Sequence, residues 1–146
     1  INTKENIDYV YKLLERYGLE DFINSYPANL SGGMRQRVAL IRTIATHPNL
    51  ILLDEPFSAL DFQSRITLTD DVYKIIKEEN ISAIMITHNI EEAASMADRV
   101  IVLSNRPSVV KNIYKTNINN IPSENRKEKK FNDLCNLIWK DIDNHV

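Results

Sequence analysis

Leu50, Ile51, Leu52 and Leu53 form an apolar run without polar alternation, bracketed by Pro48 and Pro56 and closed by Asp54 and Glu55. The run is too short for a buried helix. A brief apolar stretch between prolines predicts a strand covered on both faces, the habit of parallel sheets. It also places two adjacent carboxylates at the strand's C-terminal end, where ligands gather in open parallel sheets.

The surrounding sequence fits that frame. Ile7, Val10, Tyr11, Leu14 and Tyr17 recur at helical spacing, with Thr3 as a possible N-cap, Glu5 in the first turn and Gly18 as a stop. Tyr26-Pro27-Ala28-Asn29 is a loop, and Leu30-Ser31-Gly32-Gly33 leads into a helix from 34 to about 45 that His47-Pro48 ends. Asp61 can cap a long helix over 62 to about 79, with Val72, Ile75 and Ile76 inward. Residues 83–87 read as a second strand, 91–97 as a short helix, 99–104 as a third strand and 109–114 as a fourth. Strands alternating with helices imply an α/β fold, a mostly parallel sheet with flanking helices on both faces. Residues 116–123 are polar and linker-like, and Ser123 or Glu124 opens a C-terminal helix. Phe131, Leu134, Cys135, Ile138 and Ile142 form its inner stripe.

Composition excludes several function classes. The chain carries 18 Lys+Arg against 20 Asp+Glu, a net charge of -2, which argues against a broad basic face for nucleic acid. Hydrophobic residues at 43% and charged ones at 26% describe a globular rather than a disordered chain. The longest apolar runs fall far short of the roughly 20 residues a membrane-spanning helix needs. One cysteine, Cys135, excludes an internal disulfide, fits a reducing cytosolic compartment, and reads as a small hydrophobe on the tail helix. Met34, Met85 and Met96 read as packing residues.

Three places can carry chemistry. Because side chains alternate along a strand, Asp54 and Glu55 point in different directions and suit different tasks. One can hold Mg2+ while the other orients or deprotonates an attacking water. The alternative is a surface turn in which Asp54 caps amides and Glu55 is solvated. Ser31-Gly32-Gly33 at a helix start offers unpaired amides and roughly half a positive charge to an anion, or is simply an N-cap in a tight turn. His88, just past a strand, can hydrogen-bond a phosphate or be structural. By default Asp61 is a helix cap.

Order and spacing say more than any one of these. Leu30-Ser31-Gly32-Gly33-Met34, Leu50-Ile51-Leu52-Leu53-Asp54-Glu55-Pro56, Ser58-Ala59-Leu60-Asp61 and Thr87-His88 resemble the signature motif, Walker B strand, D-loop and switch histidine of ATP-binding-cassette (ABC) ATPases, in that family's order. Ile90-Glu91-Glu92-Ala93-Ala94, Ala97-Asp98-Arg99-Val100 and Leu103-Ser104-Asn105-Arg106-Pro107 resemble the nitrate/sulfonate/taurine branch of ABC importers, as does the tail helix with Phe131, Leu134 and Ile138.

The resemblance implies a partial P-loop NTPase (ABC cassette) fold. Residues 1–30 would end the helical subdomain, 31–115 would form the signature helix and the C-terminal part of the α/β ATPase core, and 116–146 a linker and C-terminal helix. It implies ATP and Mg2+ as cofactors, with Asp54 supporting the metal and Glu55 as general base for the water attacking the γ-phosphate. His88 would contact that phosphate. Asp61 would couple two sites across a dimer, and Ser31, Gly32 and Gly33 would bind the γ-phosphate of ATP held mainly by the partner subunit. Met34 departs from the family's usual Gln at one contact. The implied partners are a second cassette subunit in a homodimer, an integral-membrane permease and, indirectly, a solute-binding protein. The implied location is the cytoplasmic face of the membrane.

One element is missing from the sequence. A phosphate-cradling G-x-x-x-x-G-K-[ST] loop cannot be built from Gly18, Gly32 and Gly33, the only glycines. The family's glutamine loop and adenine-stacking aromatic also have no counterpart. With Ile rather than Met first, the chain reads as a fragment, expected to bind ATP weakly or not at all and to lack appreciable ATPase activity alone. A cut sheet would expose an edge and apolar surface that dimerisation or swapping would cover. Two other readings are a non-catalytic cassette-like regulatory module and an ABC-type ATPase of DNA repair. Intact Glu55 and His88 lean against the first, and the lack of heptads or a basic face against the second.

Overall fold

The computed structural model describes residues 4–58, 60–117 and 120–143, so the expected Thr3 cap and Ala59 of the Ser58–Asp61 motif lie outside the described residues. Helix α1 spans Lys4–Arg16 and ends at Gly18, whose φ of 68° places it in the left-handed region. Gly18 N–H donates to the Glu15 carbonyl at 3.1 Å and Leu19 N–H to that of Leu14 at 2.8 Å, the two bonds of a Schellman cap. The packed face is rotated from the expected one: Leu14 and Tyr17 pack against the core as expected, but Leu13 is buried with Tyr9 packed beside it, while Ile7 and Tyr11 are exposed. The cause is Glu79, whose carboxylate draws Tyr9 Oη at 2.9 Å, Tyr17 Oη at 3.1 Å and Arg16 Nη1 at 2.8 Å. Three polar side chains converging on one anion set the rotation of the helix.

Helix α2 (Gly32–Ile44) starts at its cap Ser31, and His47 with φ 52° followed by Pro48 turns the chain out of it. Strand β1 (Leu50–Asp54) leads through a tight turn to helix α3 (Phe62–Glu78), strand β2 (Ser82–Ile86) and helix α4 (Ile90–Met96). Strands β3 (Arg99–Leu103) and β4 (Val110–Lys115), a one-turn helix α5 (Pro122–Asn125) and helix α6 (Lys129–Asp143) complete the chain. Strands β1 and β2 pair in parallel, Leu50 opposite Ser82 and Asp54 opposite Ile86. Strands β3 and β4 pair antiparallel, so among the described residues the strands form two separate pairs.

The α/β class with parallel pairing holds, but the two-sided burial expected of Leu50–Leu53 does not. Ile51 is 3% exposed and Leu52 72%. Ile51 packs on one side against Leu40, Ile41, Leu68 and Val72 of α2 and α3. The opposite face, with Leu52, Ile84 and Ile86, is left exposed among the described residues, where the sequence predicts helices on both faces. Met34, Met85 and Met96 pack against this first core as expected.

A second core joins Ala94 of α4, Val100 and Val102 of β3, and Phe131 and Ile138 of α6. The tail is two helices rather than one, because Asn125 turns inward at the break. Its Nδ2 donates to the carbonyls of Ser95 at 3.0 Å and Asn120 at 2.8 Å. Cys135 packs against this core as expected, whereas Ile142 is exposed.

Candidate functional site

The turn after β1 is built around Glu55. Its N–H donates to the Ile86 carbonyl at 2.9 Å, carrying the parallel ladder one residue past the end of β1. Its φ is 45°, a conformation non-glycine residues adopt only when their surroundings hold them there. The holding bonds come from Ser58, whose Oγ and N–H reach the Glu55 carbonyl at 3.0 and 3.3 Å. Phe57, fully buried at 0% exposure, anchors the same turn in the core.

This geometry carries the Glu55 side chain across to the end of β2. Glu55 Oε1 accepts the His88 backbone N–H at 3.1 Å and lies 2.7 Å from His88 Nδ1. The His88 side chain is 81% exposed and that of Glu55 35%, so a shared carboxylate oxygen and an imidazole edge face solvent together. Asp54 sits one residue earlier, exposed at the strand end. A hard carboxylate donor engaged by no hydrogen bond or ion pair among the described residues fits one corner of a Mg2+ shell that is otherwise water and phosphate oxygen. No cluster of three or more metal-ligating side chains occurs among the described residues.

Asp61 is a helix cap: its Oδ1 accepts Ser64 N–H at 3.0 Å, and its backbone is extended at φ -64° and ψ 163°. Hydrogen bonds from Ser64, the hydroxyl first, hold the Asp61 carboxyl below the usual range. Ser31 likewise caps α2, its Oγ accepting Met34 N–H at 3.2 Å. A Cβ on Gly33 would meet nothing within 4 Å, and one on Gly32 would touch Leu60 Cδ2 at 3.5 Å. The first amides of α2 therefore stand open to an approaching anion, and the Gly32 turn abuts the segment preceding Asp61. The structure joins Glu55 to His88 directly. No hydrogen bond or ion pair among the described residues links Ser31 to either of them.

Asn89 and Arg65, which motif reading passed over, and Thr87 and Glu92, which it quoted without a role of their own, also shape this region. Asn89 caps α4, its Oδ1 accepting the N–H groups of Glu91 at 2.9 Å and Glu92 at 3.2 Å. Asn-x-x-Glu before an apolar helix is a capping signature that could have located this turn. No helix of the described residues is long and apolar enough to cross a membrane.

A family profile described as ABC transporter matches residues 2–58. The chain is 43% identical, over 96% of its length, to the uncharacterized ABC transporter ATP-binding protein YtlC of Bacillus subtilis, covering 55% of that protein. It is 44% identical over 75% of its length to the nitrate import ATP-binding protein NrtD of Synechocystis, covering 41% of it. It is 42% identical over 70% of its length to the aliphatic sulfonates import ATP-binding protein SsuB 2 of Pseudomonas syringae, covering 44% of it. The chain thus spans about half the length of the curated relatives it matches. In fold it is similar to an ATP-binding cassette of an ABC transporter in its ADP conformation, with a TM-score of 0.66 at 19% identity over 92% of this chain and 51% of that one. A metal-chelate type ABC transporter in an inward-facing conformation gives a TM-score of 0.69 at 24% identity over 80% and 45%. By sequence, the chain belongs to the family of ABC transporter ATP-binding proteins.

Proposed function

We propose that this chain supplies the Walker B, switch-histidine and signature segments of an ATP-hydrolysing subunit that energises import of a small anion such as nitrate, a sulfonate or taurine. The observation that carries the reading is the pairing of Glu55 and His88 through one oxygen, beside the unengaged carboxylate of Asp54. The nitrate and sulfonate import relatives support the solute class.

In this reading Glu55 takes the proton of the water that attacks the γ-phosphorus, and His88 hydrogen-bonds a γ-phosphate oxygen. Asp54 would hold Mg2+, which when bound offsets phosphate charge. Phosphoryl transfer asks mainly for such positioning and charge stabilisation. Ser31, Gly32 and Gly33 present a helix start to the γ-phosphate of ATP held by a second cassette subunit, and Asp61 couples the two sites. A homodimer docked on a membrane permease at the cytoplasmic face, served by a solute-binding protein, completes the assembly. Residues 31–115 would then be core and 116–146 an appended linker and helix.

The test is ATP hydrolysis by the complete gene product, reconstituted with its permease and solute-binding protein in lipid vesicles. Hydrolysis stimulated by nitrate or a sulfonate and abolished by Glu55→Gln is expected. A product that binds no ATP, or whose hydrolysis is unchanged by Glu55→Gln, overturns the reading.

A further inference from the structure

Glu92 is only 3% exposed, yet nothing in the reading above uses its carboxylate. A buried carboxylate is costly unless it is paired and hydrogen-bonded, so its partners say what it is for. Glu92 stands three residues after the cap of α4, where a capping-box glutamate folds back onto the N–H of the cap residue. Here Thr87 Oγ1 takes that N–H, of Asn89, at 3.0 Å, and the Thr87 hydroxyl donates to Glu92 Oε2 at 2.8 Å. The carboxylate is thereby freed to face the other way. Its Oε1 lies 3.8 Å from Arg65 Nε, a buried nitrogen with no hydrogen-bond partner. Arg65 Nη2 in turn donates to the Leu60 carbonyl at 2.9 Å.

The run of contacts Leu60, Arg65, Glu92, Thr87 begins one residue before Asp61 and ends one residue before His88. We infer that Glu92 is a positioning residue, its buried carboxylate tying the turn that carries His88 to the turn that carries Asp61 so that the two hold one relative geometry. The inference rests on the proposed roles of His88 and Asp61. A carboxylate serving only to hold α4 in place would leave the bonds of Glu55 to His88 to join those two turns without it.

Two measurements separate these cases. In the isotope-labelled protein, Glu92→Gln removes the charge facing Arg65, Thr87→Val removes the hydroxyl with little change of shape, and Thr87→Ser restores it. Glu92→Gln and Thr87→Val are each expected to shift the amide resonances of both His88 and Asp61, non-additively when combined, while Thr87→Ser keeps the parental positions. In the complete gene product the same two variants are expected to lower kcat for ATP by about tenfold or more with KM within about twofold, and Thr87→Ser to rescue it. Shifts confined to α4 with Asp61 unmoved, or a parental kcat in both variants, overturn the proposal. A parental protein that hydrolyses no ATP instead overturns the functional reading, and the resonances still decide whether Glu92 couples the two turns.

Discussion

Glu55 and His88 meet through a single oxygen: Glu55 Oε1 accepts the backbone N–H of His88 at 3.1 Å and faces its Nδ1 at 2.7 Å. A general base must be held at a fixed place and still reach water. For the general base proposed at Glu55, the left-handed backbone pinned by Ser58 meets the first need, and its partly exposed carboxylate the second. Substituting Glu55 by Gln keeps an acceptor for the His88 N–H but removes the basic oxygen. In the complete gene product, ATP turnover is expected to fall by about 10²- to 10⁴-fold. Phosphate release measured beside equilibrium ATP binding checks this, since binding should persist.

The 146-residue chain alone should bind ATP weakly or not at all and show no appreciable hydrolysis, because none of its three glycines builds a phosphate loop. Calorimetry with ATP and Mg2+ checks it. A micromolar binding site would contradict the expectation.

Phe57 anchors the Glu55 turn with no solvent exposure. Phe57→Ala should destabilise the fold by about 3–5 kcal/mol through lost burial and the cavity left behind. Urea denaturation followed by circular dichroism measures the loss.

Asp61 yields a pH signature. Its folded carboxyl lies below the ordinary value of 3.8 because Ser64 hydrogen-bonds the charged form. A depressed folded value means the stabilisation is complete above the unfolded value and is lost as pH falls through the folded one. Asp61→Asn keeps a good cap without the charge. Its urea midpoint should therefore trail that of the parent at pH 6 and converge with it as pH falls below 3.8 and through the lowered carboxyl value.

Cys135 should be a sluggish thiol. Burial in the second core, with a smaller contribution from Glu91, pushes its pKa up to about 11. Alkylation by iodoacetamide should keep rising by about tenfold per pH unit through pH 9 to 10, where an ordinary thiol levels off. Mass spectrometry of timed samples reads the rate.

Where a residue's role is fixed by its near neighbours in sequence, the sequence shows it. The Ser31 and Asp61 caps, the Gly18 stop, strand β1 and the acidic pair at its end are all of this kind. What failed depends on contacts distant along the chain. The rotation of α1 is set by Glu79, the break between α5 and α6 by Asn125 reaching Ser95, and the bare side of Leu52 by the lack of a covering layer. In the site, His88 and Glu55 were legible as separate candidates, but their shared oxygen follows from the register of β1 on β2. Glu92 escaped because its local pattern is that of a capping glutamate, and only the folded chain shows Thr87 occupying that position.

The bare face of β1 and β2 has a colloidal consequence. Leu52, Ile84 and Ile86 present one greasy strip at the surface, on a ribbon of two strands among the described residues. A pair of strands has little independent stability in water, and exposed apolar strands invite association. Sulfate, which strengthens apolar burial, should therefore drive this protein toward precipitation well before it unfolds. Charged replacements on this strip, such as Leu52→Lys, should raise the sulfate concentration at which the protein precipitates.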